Sequence, residues 1–364
     1  MRFRCERDVL FEALSVVGRA VSTRAGALQV LSGVRLKLTG DELRLLGTDN
    51  ELGISMEVTV GGAADGVAVV PSRLFAEIVR SLEPGAVTVE IDGETAQVSA
   101  GRSQFAVRVI PPDEFPRPSV AVGDQVEIDA QVLDAALRQV VPAASTDDSR
   151  PILTGVLFTA EDGDLRLVAT DSYRLARRDV RGQSVLQDGQ SVLLPSRALT
   201  ELRRLLGSAS TVTVQLGQNE ASFSVGRSRL VTRLIPGEFP NYRGLIPQSH
   251  PNKLVVNREA LLDAVRRVRL MAREATPIRL LQTAQGLDLL AITQDVGQAH
   301  ETVDASYEGE ELTIAFNPEY LVDGLEVLGD DEVVLDTLDA RNPAVLRGTE
   351  SPDFLYLLMP VRVS

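Results

Sequence analysis

Three aspartates recur in this chain in a setting that could do chemistry. They stand in "LLGTDNELGIS" (45–55), "LVATDSYRLAR" (167–177) and "LLAITQDVGQA" (289–299), which puts Asp49, Asp171 and Asp295 at intervals of 122 and 124 residues. A carboxylate beside a hydroxyl, as in Thr48-Asp49 and Thr170-Asp171, suits general acid–base work of the glycosidase or nuclease kind. The same pair at a strand end has a second use, because an aspartate there bonds backbone amides just ahead of it and fixes a turn. Recurrence at the same place in every repeat favours the turn. Other chemistry-bearing types are sparse: the only histidines, His250 and His300, lie far outside metal-ligand spacing, and Cys5 is the only cysteine. No Walker-type loop or G-x-G-x-x-G follows any strand. An enzyme has no nucleophile, metal or cofactor to build on, and no cofactor is expected.

The elements around these aspartates repeat with them. Helical segments follow at fixed distance: "PSRLFAEIVRSL" (71–82), "PSRALTELRRLL" (195–206) and "NPEYLVDGLEVL" (317–328), each opened by a Ser, Pro or Asn start signal and carrying an apolar stripe. An extended tail comes next. "VSAGRSQFAVRVIPPDEFP" (98–116) answers "FSVGRSRLVTRLIPGEFPNY" (223–242), and the third tail is "AVLRGTESPDFLYLLMPVRVS". In the first repeat Val9, Leu10, Ala13, Leu14 and Val17 share one face of a further helix. Each repeat thus reads as two helices among many antiparallel strands, an α+β domain. A period this long is a domain, and 364 residues divide into three of ordinary size. Pro- and Gly-rich joints at 110–125 and 235–253 place the domains at 1–121, 122–248 and 249–364.

Composition narrows the class further. One cysteine permits no intrachain disulfide and points to a reducing compartment. No run approaches the roughly 20 apolar residues of a membrane span, and the N-terminus has no apolar signal core, so a cytoplasmic protein is expected. The formal charge is −14, which argues against a nucleic-acid binder unless the charge is unevenly placed. It is uneven: the six helical segments together are close to neutral, with +3 over 257–273 and −3 over 317–328. Strands and loops carry the acidity. Nearly all positive charge is arginine, Lys37 and Lys253 being the only lysines.

In "VATDSYRLA" (168–176), "RPILTGVLF" (150–158), "EFPNYRGLIP" (238–247), "FNPEYLVDGL" (316–325) and "YLLMPVRV" (356–363), all in order along a triplicated chain, the sequence resembles the bacterial DNA polymerase III beta subunit family, the replicative sliding clamps. The resemblance covers essentially the whole chain. It implies three similar clamp domains per chain and a head-to-tail dimer forming a six-domain ring, a heterologous contact closed by rotation. It implies a processivity factor that encircles duplex DNA without reading its sequence and tethers the polymerase, with no reaction of its own. The partners implied are the polymerase III alpha subunit, the clamp loader, and other polymerases and repair proteins that dock short linear peptides. A diverged clamp paralogue serving inhibitor resistance or repair would share all of this, and the carboxylate enzyme is the competing class.

Carried over residue by residue, the resemblance implies a peptide cleft lined by Leu153, Thr170, Ser172, Tyr173, Arg174, Leu175, Pro240, Leu245, Asn317, Tyr320, Pro343, Met359, Pro360, Val361 and Arg362. Departures fall at Ser172 and Tyr173, where some members have Gly-His, at Gly244, which replaces a frequent arginine, and at Ala275, near a position often aromatic. They bear on peptide preference. Arg24 matches a DNA-contact position, and Arg73, Arg80, Arg138, Arg197 and Arg203 are further candidates for weak phosphate contacts. The ring joint would set Phe105 and Val107 of the first domain against Arg269 and Leu270 of the third.

Overall fold

The computed structural model describes residues 1–22, 28–116, 123–161, 163–183, 185–247, 249–272, 276–294 and 296–362. These contain six α-helices: α1 (Arg7–Val17), α2 (Ser72–Ser81), α3 (Ala130–Val140), α4 (Ser196–Leu206), α5 (Arg258–Val268) and α6 (Pro318–Val327). The helices lie where the apolar stripes predict them. α1 and α5 each end by passing into a 3₁₀ turn, Gly18–Ala20 and Arg269–Met271. Asn257 caps α5 by accepting from the Ala260 amide at 3.0 Å, and Asn317 caps α6 by accepting from Glu319 at 2.9 Å. Such a cap stabilises a helix by about 1 kcal/mol over alanine. Pro318 occupies the first turn of α6, where no amide is needed.

All strand pairing is antiparallel, and the described residues form two compact units: 1–131 with 197–234, and 132–196 with 235–364. The first unit holds an eight-stranded sheet, in the order Gln125–Asp129, Thr211–Leu216, Glu220–Val225, Ser228–Arg233, Leu52–Thr59, Glu42–Thr48, Gly33–Thr39, Gly66–Pro71. It also holds a five-stranded sheet, Gly61–Ala64, Arg2–Glu6, Ala86–Asp92, Thr95–Ala100, Ser103–Arg108. The second unit holds a nine-stranded sheet, Ser191–Pro195, Gly155–Glu161, Asp164–Thr170, Arg174–Val180, Phe354–Leu358, Ala344–Gly348, Glu332–Thr337, Asn252–Asn257, Ala305–Glu308. Its smaller sheet runs Gly297–Val303, Gly286–Thr293, Ile278–Thr283, Leu312–Phe316.

The strands of the middle repeat are therefore divided between two large sheets, which equal thirds of the sequence do not suggest. Ladder continuity is the reason. Ser228–Arg233 pairs with Leu52–Thr59 of the first repeat, and Arg174–Val180 pairs with Phe354–Leu358 of the third. Both joints leave no free edge between repeats, which removes an aggregation-prone face. Within the units, α1 packs with α2 and α5 with α6, each burying one stripe: Leu261, Leu262, Ala264, Val265 and Val268 in α5, for example. At roughly 1.5–3 kcal/mol per large buried side chain, these stripes outweigh any helix propensity.

Candidate functional site

The turn that follows strand Asp164–Thr170 is built by the repeated Thr-Asp pair. Asp171 accepts through Oδ1 from the amides of Tyr173 at 2.9 Å and Arg174 at 3.0 Å. The Thr170 hydroxyl donates to the Arg174 carbonyl at 2.6 Å and accepts from the Ser172 amide at 3.2 Å. Ser172 is forced to φ +82°, the left-handed region that favours glycine. Asp49 builds the same turn with the Glu51 and Leu52 amides. The scaffold reading of Asp49 and Asp171 is what the geometry shows, while Asp295 lies outside the described residues.

This rigid turn aims two side chains in opposite ways. Arg174 points inward, where its Nε donates to Asp171 Oδ2 at 3.0 Å and its Nη1 reaches Asp323 and, at 3.3 Å, the Tyr356 hydroxyl. Its guanidinium also lies 4.4 Å from the centre of the Tyr320 ring, a cation–π contact. Burial alone would make Arg174 easier to deprotonate, but Tyr356 and Asp323 outweigh it and hold the charge. Burial likewise drives the Tyr356 phenol well above its ordinary range, against the pull of Arg174. Tyr173 points outward, 57 % exposed, with its ring 6.4 Å from that of Tyr320 and 22° from parallel.

Beside the turn lies an apolar floor. Leu157, Val168, Leu175, Leu193, Tyr242 and Leu357 form one buried cluster, with Ile152, Ile235, Phe239, Ile246 and Leu355 packed against it. The 3₁₀ turn Tyr242–Leu245 delivers Tyr242 into the cluster and leaves Leu245 exposed. The chain after Phe354–Leu358 crosses the turn, its Met359 amide donating to the Tyr173 carbonyl at 2.9 Å, and continues until Val361 bonds Ala315. Met359 stays exposed. Apolar walls, a few fixed polar groups and an adaptable methionine suit the anchors of a short peptide.

Of the residues implied for the cleft, these contacts bring together Thr170, Tyr173, Arg174, Leu175, Tyr320 and Met359. Ser172 joins them through its turn and through Arg150 at 3.3 Å. Asn317 acts as the α6 cap, and Leu153 is tied through its carbonyl to the Ser145 amide. Pro240 and Arg362, exposed, and Pro343 and Pro360, half-buried, belong to the same unit outside that bonded group, and Ala275 lies outside the described residues. Asp323, Tyr356 and Tyr242 are the residues that sequence reasoning missed. A signal for Asp323 existed: Tyr320 and Asp323 stand three apart on one helix face.

The proposed DNA contacts are less uniform. Arg73 projects freely from α2 and pairs only with Glu77 one turn on, whereas Arg197 donates to Asp49 Oδ2 at 2.5 Å. Arg80 lies over the Phe11 ring, Arg138 is exposed in the last turn of α3, Arg203 is half-buried, and Arg24 falls outside the described residues. At the joint positions, Phe105 is 39 % exposed and Leu270 80 % exposed, while Arg269 reaches Glu319 at 3.5 Å. Val107, only 5 % exposed, is packed into its own unit. Phe105 and Val107 alternate onto one face of the strand, which is core at Val107 and opens at Phe105, towards the strand's beginning.

The six helices of the described residues, in a threefold order along the chain, on antiparallel sheets whose ladders run on from one repeat to the next, define a clamp-type fold. The N-terminal, central and C-terminal domain models of the DNA polymerase III beta subunit match residues 1–119, 127–241 and 243–362. The beta sliding clamp of Streptomyces coelicolor is 34 % identical over 376 residues, covering all of both chains. The structure of the griselimycin-bound sliding clamp of Bartonella birtlesii superposes with a TM-score of 0.95 at 32 % identity, again over both whole chains. That of the Bacillus subtilis clamp gives 0.94 at 29 % identity with the same coverage. The chain belongs to the DNA polymerase III beta subunit family.

Proposed function

We propose that this chain is a DNA sliding clamp that closes as a head-to-tail dimer around duplex DNA and acts through topology alone, without turnover. The observation that carries the ring is a pair of free sheet edges. Strand Ser103–Arg108 ends the five-stranded sheet, and strand Gly297–Val303 ends the four-stranded one. In the repeats these strands correspond to Ser228–Arg233 and to Leu52–Thr59, which do pair with each other. A second copy supplies the missing partner for each edge. Domains at 1–121, 122–248 and 249–364 then give six around the ring.

The cleft around Tyr173, Leu175, Tyr320 and Met359 receives linear peptides of the polymerase, the clamp loader and repair proteins. Exposed helix arginines such as Arg73 and Arg138 supply weak, sequence-blind phosphate contacts, in a cytoplasmic protein working on the nucleoid. No helix among the described residues is long and apolar enough to cross a membrane.

The test is retention on DNA. Loaded by a clamp loader onto a nicked circle, the protein should remain bound through gel filtration in high salt and be lost once the circle is cut. Light scattering should give about twice the 39.3 kDa chain mass. Retention that is indifferent to linearisation would overturn encirclement.

A further inference from the structure

The first unit repeats the docking cleft with different side chains. Turn 48–52 copies turn 170–174 bond for bond: the Thr48 hydroxyl donates to the Leu52 carbonyl at 2.9 Å and accepts from the Asn50 amide at 3.1 Å, and Asn50 takes φ +77° as Ser172 takes +82°. The crossing chain docks in the same way, with the Arg233 amide donating to the Glu51 carbonyl at 3.0 Å where Met359 donates to Tyr173. The ladders agree as well, since Leu52 pairs with Thr232 and Gly53 with Val231, where Arg174 pairs with Leu358 and Leu175 with Leu357. At this place lies a cavity of about 120 Å³.

The chemistry of the copy is reversed. Glu51 stands for Tyr173, Gly53 for Leu175, Thr232 for Leu358 and Arg233 for Met359. The first unit's apolar cluster, Val30, Leu31, Leu46, Val69, Ile110 and Phe115, includes neither Gly53 nor Val231, the counterparts of Leu175 and Leu357. With glycine in the leucine position, side-chain volume is missing and a polar cavity takes its place. Thr232 is only 2 % exposed there, and its hydroxyl reaches no better acceptor than the Arg233 carbonyl at 3.3 Å. Glu51, Glu220 and Arg233 are the charged residues that line the cavity. The Glu51–Arg233 pair is long, 3.6 Å, and exposed on both sides, so it holds the carboxylate only weakly.

We infer that this cavity is a second docking site, separate from the apolar cleft, that takes a basic side chain of an extended partner segment. The guanidinium or ammonium meets Glu51, with the Thr48 and Thr232 oxygens as further acceptors, and the segment runs beside the turn as a peptide does in the other cleft. The site lies within the first unit alone and is independent of ring closure.

Fluorescence anisotropy with a labelled, end-blocked Gly-Arg-Gly-Arg-Gly peptide tests it on the full-length protein at low salt. Saturable binding should weaken about tenfold when citrulline replaces arginine and about tenfold in Glu51→Gln, the loss of one charge-assisted bond. Glu308→Gln, an exposed acid in the other unit, should leave it unchanged. Equal binding of the citrulline peptide, no effect of Glu51→Gln, or an equal loss in Glu308→Gln would each overturn the site, the last by reducing it to attraction by net charge. Binding of an apolar-anchored peptide, measured in the same variants, should not move. Its absence in the wild type would count against the first cleft and not against this one.

Discussion

Removing the Arg174 guanidinium strands two partners that no water-facing rotamer relieves: the Tyr356 hydroxyl, fully buried, and Asp171, whose Oδ2 it binds. A broken buried ion pair costs about 3–5 kcal/mol, but Asp323 is a third exposed, so roughly 2 kcal/mol is expected from Arg174→Ala. Urea midpoints read it, and an unchanged midpoint would show the network to be electrostatically idle. Arg174→Lys keeps the charge but not the fork, and should recover only part. The neighbouring phenol sets an alkaline limit. Burial raises the folded-state pKa of Tyr356, so the unfolded chain gives up its proton first, near the ordinary value of about 10. Stability from this group is complete below that pH and is lost as the pH climbs through the raised value. Tyr356→Phe should flatten, though not abolish, the fall in melting temperature between about pH 9.5 and 11, since Tyr242 and Tyr320 are raised by burial too. A limb of unchanged slope in that variant would assign the alkaline loss elsewhere.

Helix α6 carries Tyr320 and Asp323 to the cleft and sits close to the sheet because residue 324 has no side chain. A Cβ at Gly324 would lie 2.6 Å from the Tyr356 ring. Propensity alone makes Gly324→Ala stabilising by about 1 kcal/mol, whereas overpacking costs about 1–3 kcal/mol. Contact wins at this distance, so the variant should melt earlier and bind an apolar-anchored peptide more weakly; a stabilised variant with unchanged affinity would mean that the helix moves freely. What was legible in the sequence divides along the same line. The turns at Asp49 and Asp171, the helix faces and the α5 and α6 caps rest on neighbours a few residues apart, and they read directly. The partition of the middle repeat, the clamp of Asp323 and Tyr356 on Arg174, and the burial of Val107 depend on ladders between repeats, on side-chain bonds between residues 149 and 182 apart, or on where a strand leaves the core. Local pattern carries no term for those. Repetition supplied part of it, because one repeat's ladder states what the next should pair with.

At the scale of the assembly that same repetition fixes a register. Leu230 pairs with Ile54 in one large sheet and Tyr356 with Ala176 in the other, all four buried. Gly47 pairs with Ile54 and Ala291 with Ala299, so by the repeats Phe105 corresponds to Leu230 and Ala299 to Ile54, and the ring-closing ladder would set Phe105 of one copy against Ala299 of the next, on the inner face. The edge is guarded in the isolated chain: His300 lies 3.3 Å from Asp288, and Arg267 pairs with Glu301, charges that discourage random strand pairing. Phe105→Arg puts a cation into that inner face and should yield folded monomers by light scattering. The register itself is tested by oxidation. Directly opposed residues on antiparallel strands bring their Cα atoms to about 4.5–5.5 Å, within disulfide range. A chain with both Phe105→Cys and Ala299→Cys should therefore form covalent dimers with two cross-links, undisturbed by Cys5, which is buried. Gln104→Cys with Ala299→Cys places the thiols on opposite faces and should not cross-link. Cross-linking by the second pair and not the first would mean that the copies meet one residue out of step with the ladders inside each chain, and the ring would then close by contacts other than those its own repeats prescribe.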